Sequence, residues 1–218
     1  MSTRVARRPE ETVTSPRTAK TRQTIDRILK AATDLFLKEG YSGTNLQQVA
    51  SAAGVTKPTV YSHFKSKEGL LQAVTSASAE TRVAELSLVL RPSENPRADL
   101  VRLGDLLLSK VLSDEARLWD RLAASESLEH PEVGEAFFRA GPELVLNRLR
   151  LYLQQQQRAR LLDVPHPQRA AEQFVGMLLG MDLLRSQVGQ PVLRPSQRRQ
   201  RCREAVDVFL SAYSVHDQ

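Results

Sequence analysis

The sequence predicts an all-α protein, with a small N-terminal helical unit followed by a longer helical domain. Three observations carry that expectation. Apolar residues recur at helical spacing in successive segments from Thr21 almost to the C-terminus, and each segment is bounded by Gly, Pro, Ser or Asp break signals. No stretch of useful length alternates as a half-buried strand does, and a 5% aromatic content with few β-branched runs agrees with helix. Residues 44–67, TNLQQVASAAGVTKPTVYSHFKSK, spell a short helix, a tight turn and a second short helix with one polar face.

The elements follow in order. Residues 1–20 mix Arg, Pro, Thr, Ser and Glu without periodicity and are expected to form a disordered basic arm, a solubilising tail or an accessory DNA contact. From Thr21 to Glu39, Ile25, Ile28, Leu29, Ala32, Leu35 and Phe36 mark a supporting helix that Gly40 ends. Thr44 is expected to cap the next helix together with Gln47, and Leu46, Val49 and Ala50 form its buried side. Ala53-Gly54-Val55 makes the turn, Thr56 caps the second helix, and Pro58 falls in its first turn, where a missing N–H is harmless. Ser66 caps a long helix reaching about Leu90, with Lys67 in its first turn, where the amine and the helix dipole can grip one phosphate. Residues 91–96, RPSENP, read as a linker, and helical segments follow at about 97–112, 114–129, 131–160, 168–188 and 196–214. The elements thus fall into an arm (1–20), a unit of short helices carrying the motif 44–63, and a longer helical domain.

On the second helix of the motif Val60 and Phe64 point one way. Pro58, Thr59, Tyr61 and Ser62 lie on or near the opposite face, flanked by Lys57 and His63. Hydroxyls, a phenol, an imidazole and a lysine on a short helix suit a major groove, although an ordinary helical hairpin with a solvated face fits the spacing equally well. Charge separates the two readings. Residues 1–70 carry 12 Lys+Arg against 6 Asp+Glu, while residues 71–218 carry 19 against 19, so the whole excess of +6 lies with the motif. Phosphate neutralisation predicts such a partition, and a solvated surface without a partner does not.

Residues Thr21 to Thr81 resemble the TetR family of bacterial transcriptional regulators, in Glu39-Gly40-Tyr41, the Thr44 cap, Val49-Ala50, Ala53-Gly54-Val55 and above all Thr59 to Glu68. The resemblance implies that Thr44 is a phosphate-binding cap, that Lys57 and Thr59 are groove contacts, that Tyr61 reaches phosphate or a thymine methyl, and that His63 and Lys67 anchor phosphates. Pro58 stands where the family often has glycine. It implies further a homodimer on double-stranded DNA, and for residues 82–218 a variable half that binds ligand and dimerises.

In that half, Gly176 and Gly180 are four apart on one face, and Ala205, Val206, Phe209 and Tyr213 on the last helix supply apolar surface for an intermolecular four-helix contact. The expectation is a homodimer through the last two helices. Trp119, Phe137, Phe138, Met177 and Met181 are candidates to line a pocket for a small apolar effector, although large side chains at helical spacing are more often core. His130 and His166, beside prolines, are expected at surface loops, and the Gln154–Gln157 run at a solvated helix end. The lone Cys202 is expected to be a packed core thiol; no metal and no cofactor are expected. No arrangement of nucleophile and base, phosphate loop or paired carboxylates speaks for an enzyme. Neither a signal peptide nor a membrane-length apolar run is visible, so the expected location is the cytoplasm. The leading reading is a ligand-responsive repressor on a palindromic operator, and the second is a constitutive architectural DNA-binding protein without effector.

Overall fold

The structure, a computed structural model, describes residues 16–215. Among them, ten helices succeed one another: α1 (Pro16–Gly43), α2 (Leu46–Ala53), α3 (Lys57–Phe64), α4 (Lys67–Val89), α5 (Pro96–Val111), α6 (Asp114–Glu126), α7 (Pro131–Ala140), α8 (Pro142–Arg158), α9 (Pro167–Gln187) and α10 (Pro195–Tyr213). The described residues form no strand, only an isolated antiparallel bridge between Leu162 and Ser214. The all-α class is as the sequence predicts.

Local chemistry sets the starts of these helices. Asn45, Thr56, Ser66, Asn95 and Ser113 each accept a backbone N–H from the first turn they precede, and α5, α7, α8, α9 and α10 open on proline. Two expected boundaries move. Residues 1–15 of the arm lie outside the described residues, whereas Pro16–Lys20 belong to α1, with Pro16 at its first position. The segment expected as one helix over 131–160 is two, because Pro142 has no N–H to donate backwards and disfavours helical angles at Gly141.

Two apolar clusters fill the interior. One gathers Ile28, Phe36, Tyr41, Val49, Val60 and Leu70 from α1–α4, and to these α6 and α7 add Trp119, Leu122, Val133 and Ala136. The other joins Leu100, Leu103, Tyr152, Phe174, Cys202 and Phe209 from α5, α8, α9 and α10. α4 runs unbroken across the division expected at residue 81 and contributes to both clusters.

Tertiary packing reassigns several residues. Val206, Phe209 and Ala205 are buried in the second cluster, where Phe209 meets the rings of Phe174 at 5.3 Å and Tyr213 at 4.7 Å. They are core, not partner surface; the correction follows from α10 turning that face towards α5 and α9. The exposed large apolar residues of the last two helices are Met181 (61%) and Leu184 (50%) on α9, Val188 just past its end, Val208 (58%) on α10 and Val215 just beyond it. Gly180 breaks α9 with non-helical angles, so the expected Gly176–Gly180 stripe is not a continuous helical ridge. Gln156 is buried and donates to the Ser93 carbonyl at 3.2 Å, so the glutamine run is not wholly solvated. Cys202 is buried as expected, and burial pushes its thiol up to about 11.

The linker is held by a buried carboxylate. Asp99 accepts from the Ser93 N–H (3.1 Å), the Ser93 hydroxyl (2.9 and 3.0 Å) and the Tyr152 hydroxyl (2.9 Å), and Arg102 pairs with it from the surface. Replacing Asp99 by alanine orphans the buried Tyr152 hydroxyl and frees the linker, so a loss on the order of 3 kcal/mol is expected in denaturant melts. A loss below ~0.5 kcal/mol would show that the node adds nothing.

Candidate nucleic-acid interface

α2 and α3 meet at Gly54, whose φ of +65° makes a left-handed cap; its N–H closes α2 on the Ala50 and Ser51 carbonyls. Val60 is buried against the first cluster, which turns the opposite face of α3 outward. Lys57, Pro58, Tyr61 (57%), Ser62 and His63 are all exposed there, so five of the predicted contact residues share one accessible face. Thr59 is half-buried, and its hydroxyl lies 2.8 Å from that of the cap Thr56. The Ser62 hydroxyl donates to the Thr59 carbonyl at 2.8 Å, which leaves it as an acceptor or a small steric feature in a groove.

Two predicted contacts have structural duties that the sequence does not reveal. Thr44 is 2% exposed, and its hydroxyl donates to the Gly40 carbonyl at 2.8 Å; it joins α1 to α2 instead of capping α2. The cap is Asn45, whose side chain accepts from Gln47 and Gln48 N–H groups while the Gln48 amide receives the Asn45 N–H at 2.8 Å. The capping box is thus shifted by one residue from the expected Thr44/Gln47 pair, and Thr44 is withdrawn as an exposed phosphate ligand. Lys67 sits in the first turn of α4, after the Ser66 cap, but its Nζ donates to the Tyr41 carbonyl at 3.0 Å and lies 4.2 Å from the centre of the Tyr41 ring. It first clamps α4 to the end of α1; only its remaining N–H groups are left for a phosphate.

That end of α1 is also where the C-terminal half takes hold. Gly40, at φ +80°, turns the chain so that Ser42 faces α6: the Glu126 carboxylate accepts the Ser42 N–H (3.2 Å to each oxygen) and the Ser42 hydroxyl (2.6 Å). The positive φ favours glycine at this turn, and a Cβ at Gly40 would lie 2.6 Å from Glu126 Oε1 and push that carboxylate off its Ser42 bonds. Burial raises the Glu126 carboxyl, but the Ser42 donors, the Tyr41 backbone and His130 together outweigh it and hold the group below the usual carboxylate range. His130, expected on a surface loop, instead stacks edge-on to Tyr41 at 5.0 Å and lies 3.3 Å from Glu132. His166 is exposed, as expected. Glu126 and His130 are functional candidates that no local sequence signal marks, since their partners are more than 80 residues away.

A cavity of about 300 Å³ lies between the two clusters, walled by α4–α9. Its surface is mainly apolar, with Leu86, Leu107, Val145, Val175 and Leu179 among its walls, and two of the pocket candidates, Trp119 and Phe137, line it. The other three pocket candidates do not. Phe138 and Met181 are exposed because they sit on the outer faces of α7 and α9, and Met177 packs against the second cluster. Polar groups on the wall are Arg82, Glu85, Lys110, Asp120 and Gln187. α6 carries Trp119 and Asp120 on the cavity and Glu126 on the Ser42 turn, about 10 Å apart along one rigid helix.

Residues 28–74 match the family model described as bacterial regulatory proteins, tetR family, and residues 98–215 match the AefR-like transcriptional repressor C-terminal domain. Among solved structures, a TetR-family regulator from Mesorhizobium loti superposes with a TM-score of 0.78 at 25% identity, covering 90% of this chain and 99% of that one. The flavonoid-responsive regulator FrrA gives 0.78 at 29% identity, over 89% and 99%. The helix-turn-helix regulator YvkB of Bacillus subtilis is 33% identical over 90 residues, 41% of this chain and 46% of that protein, so the match spans less than half of that relative's length.

Proposed function

The chain belongs to the TetR family of bacterial regulatory proteins, and from that premise we propose that it is a homodimeric repressor whose grip on a two-fold symmetric operator is set by a small molecule in the α4–α9 cavity. The observation that carries the proposal is α6, a single helix with one end on the cavity and the other hydrogen-bonded to the turn that supports the helix-turn-helix. In the proposed complex α3 enters the major groove with Lys57, Pro58, Thr59, Tyr61, Ser62 and His63, and the Asn45 end of α2 and Lys67 approach the backbone. The dimer forms through the exposed apolar face of α9 and α10, which sets the spacing of the two α3 helices.

An effector favouring a shifted α6 would move Ser42 and with it α1 and α2, lowering operator affinity by its differential affinity for the two arrangements. The test is operator binding followed by fluorescence anisotropy with and without compounds found to bind the purified protein. Compounds that occupy the cavity yet leave operator affinity unchanged would favour the second reading, a constitutive DNA-binding scaffold. Within the same assay, Glu126→Ala removes the Ser42 bonds without touching the DNA face or the cavity. It should reduce the effector's influence on operator affinity to below about 5-fold, from a coupling that in allosteric proteins is typically about 5- to 150-fold. Unaltered coupling in Glu126→Ala would place the linkage elsewhere.

A further inference from the structure

Among the described residues, Asp120 is distinguished on the cavity wall as an acid without a counter-charge. Lys110 is paired with Glu85 at 2.7 Å, and the Arg82 guanidinium donates to the Ala140 carbonyl at 3.0 Å. No ion pair among the described residues reaches Asp120; the Gln187 side chain is the one neighbour that favours its ionised form, and Oδ2 is buried with no hydrogen-bond partner. A carboxylate oxygen removed from water and left unmatched is costly and calls for a physical reason, and on the wall of a cavity a hydrogen-bond donor held in that cavity supplies one. From the residue order alone Asp120 is one more acid on a charged helix; its place beside Trp119 on an otherwise apolar wall is what sets it apart.

We infer that Asp120 is the specificity-determining residue of the cavity, and that it selects compact apolar compounds ending in a hydrogen-bond donor, an O–H or a protonated amine, over isosteres without one. The inference rests on reading the cavity as the effector site and adds the class of effector. The apolar walls take the body of the ligand, and Asp120 Oδ2 accepts the donor that nothing among the described residues supplies. Burial holds the Asp120 carboxyl above its ordinary range against the opposing pull of the Gln187 amide, so a ligand donor offsets a desolvation cost that the protein only partly compensates. A site built to satisfy a donor rejects the donorless analogue more sharply than apolar packing distinguishes one methylene from the next.

Three probes share a rigid cage of a size the cavity accepts: adamantylmethanol, adamantylmethylamine and the methyl ether of the first. Their affinities are read from the emission of Trp119, the sole tryptophan of the chain and Asp120's neighbour on the wall. Asp120→Leu removes the acceptor and Asp120→Asn keeps the shape and an acceptor but not the charge. In the wild-type protein, the alcohol and the amine should each bind with a donor advantage over the ether that Asp120→Leu reduces by roughly 10-fold or more. Asp120→Asn should weaken the amine more than the alcohol, because only the amine bond is charge-assisted on both sides. Should the ether bind and the donor advantage be absent in the wild type, or survive unchanged in Asp120→Leu, the role of Asp120 falls while the cavity remains an effector site. Should none of the three perturb Trp119, the cavity reading falls and this inference with it. The wild-type and Asp120→Asn arms decide the matter even if Asp120→Leu does not fold.

Discussion

Leu184→Glu is expected to turn the proposed dimer into a monomer and to lower operator affinity by roughly 100-fold or more. Leu184 is half exposed on α9, at helical spacing from the exposed Met181 and Val188, so the core of the single chain stays intact when the side chain changes. In a two-fold interface the substitution appears twice, and each carboxylate would be buried unpaired against apolar partners. One recognition helix per molecule then reaches only a half-site, which is too few base pairs for specific binding. Sedimentation velocity reads the mass and anisotropy the affinity; circular dichroism verifies that the helices persist. A Leu184→Glu protein that sediments as a dimer would remove α9 from the interface. Val206→Glu is the informative contrast: Val206 is fully buried, and the same change there should unfold the chain instead of splitting a dimer.

Tyr61→Ala should lower operator affinity by ~30- to 1,000-fold, corresponding to about 1–2 kcal/mol per half-site doubled by symmetry, with thermal stability nearly unchanged. The phenol is 57% exposed at the centre of the outer α3 face, so little folding energy depends on it. Lys57→Ala, on the same face, should weaken binding evenly across sequences and reduce the salt slope by about 1 for each phosphate that the lysine neutralises. Lys67→Ala will behave differently from either. Because its ammonium bonds the Tyr41 carbonyl and covers the Tyr41 ring, its removal should reduce stability together with affinity. Operator affinity that survives Tyr61→Ala within about 3-fold would exclude α3 as the reading helix.

The helix-turn-helix is legible in the sequence because its determinants are local. Gly54 in a left-handed turn, Thr56 and Ser66 as caps, Val60 inside and Tyr61 outside all follow from backbone preferences and helical period within a dozen residues. Where two neighbouring residues compete for one local role, the pattern is insufficient. Thr44 and Asn45 are both good caps with a glutamine three positions on, and packing decides between them by burying Thr44 against Gly40. Period likewise shows that α9 and α10 each carry apolar residues, but not which arc faces inwards. Val206 and Phe209 go to the core of the same chain and Met181 to its surface, since a helix enclosed on two sides leaves no sequence mark of which neighbour belongs to another molecule.

By itself, then, the sequence determined an all-α chain with a basic helix-turn-helix at one end and a charge-balanced helical half behind it, because composition, capping and periodicity act over short distances. Only the tertiary structure decided that Glu126 meets Ser42, that His130 meets Tyr41, and that Asp120, with one oxygen unpartnered, stands beside Trp119 on a mainly apolar cavity. Those arrangements join residues remote in the chain, and their energies arise from desolvation and from donors placed by the crossing of separate helices, which no local spacing encodes.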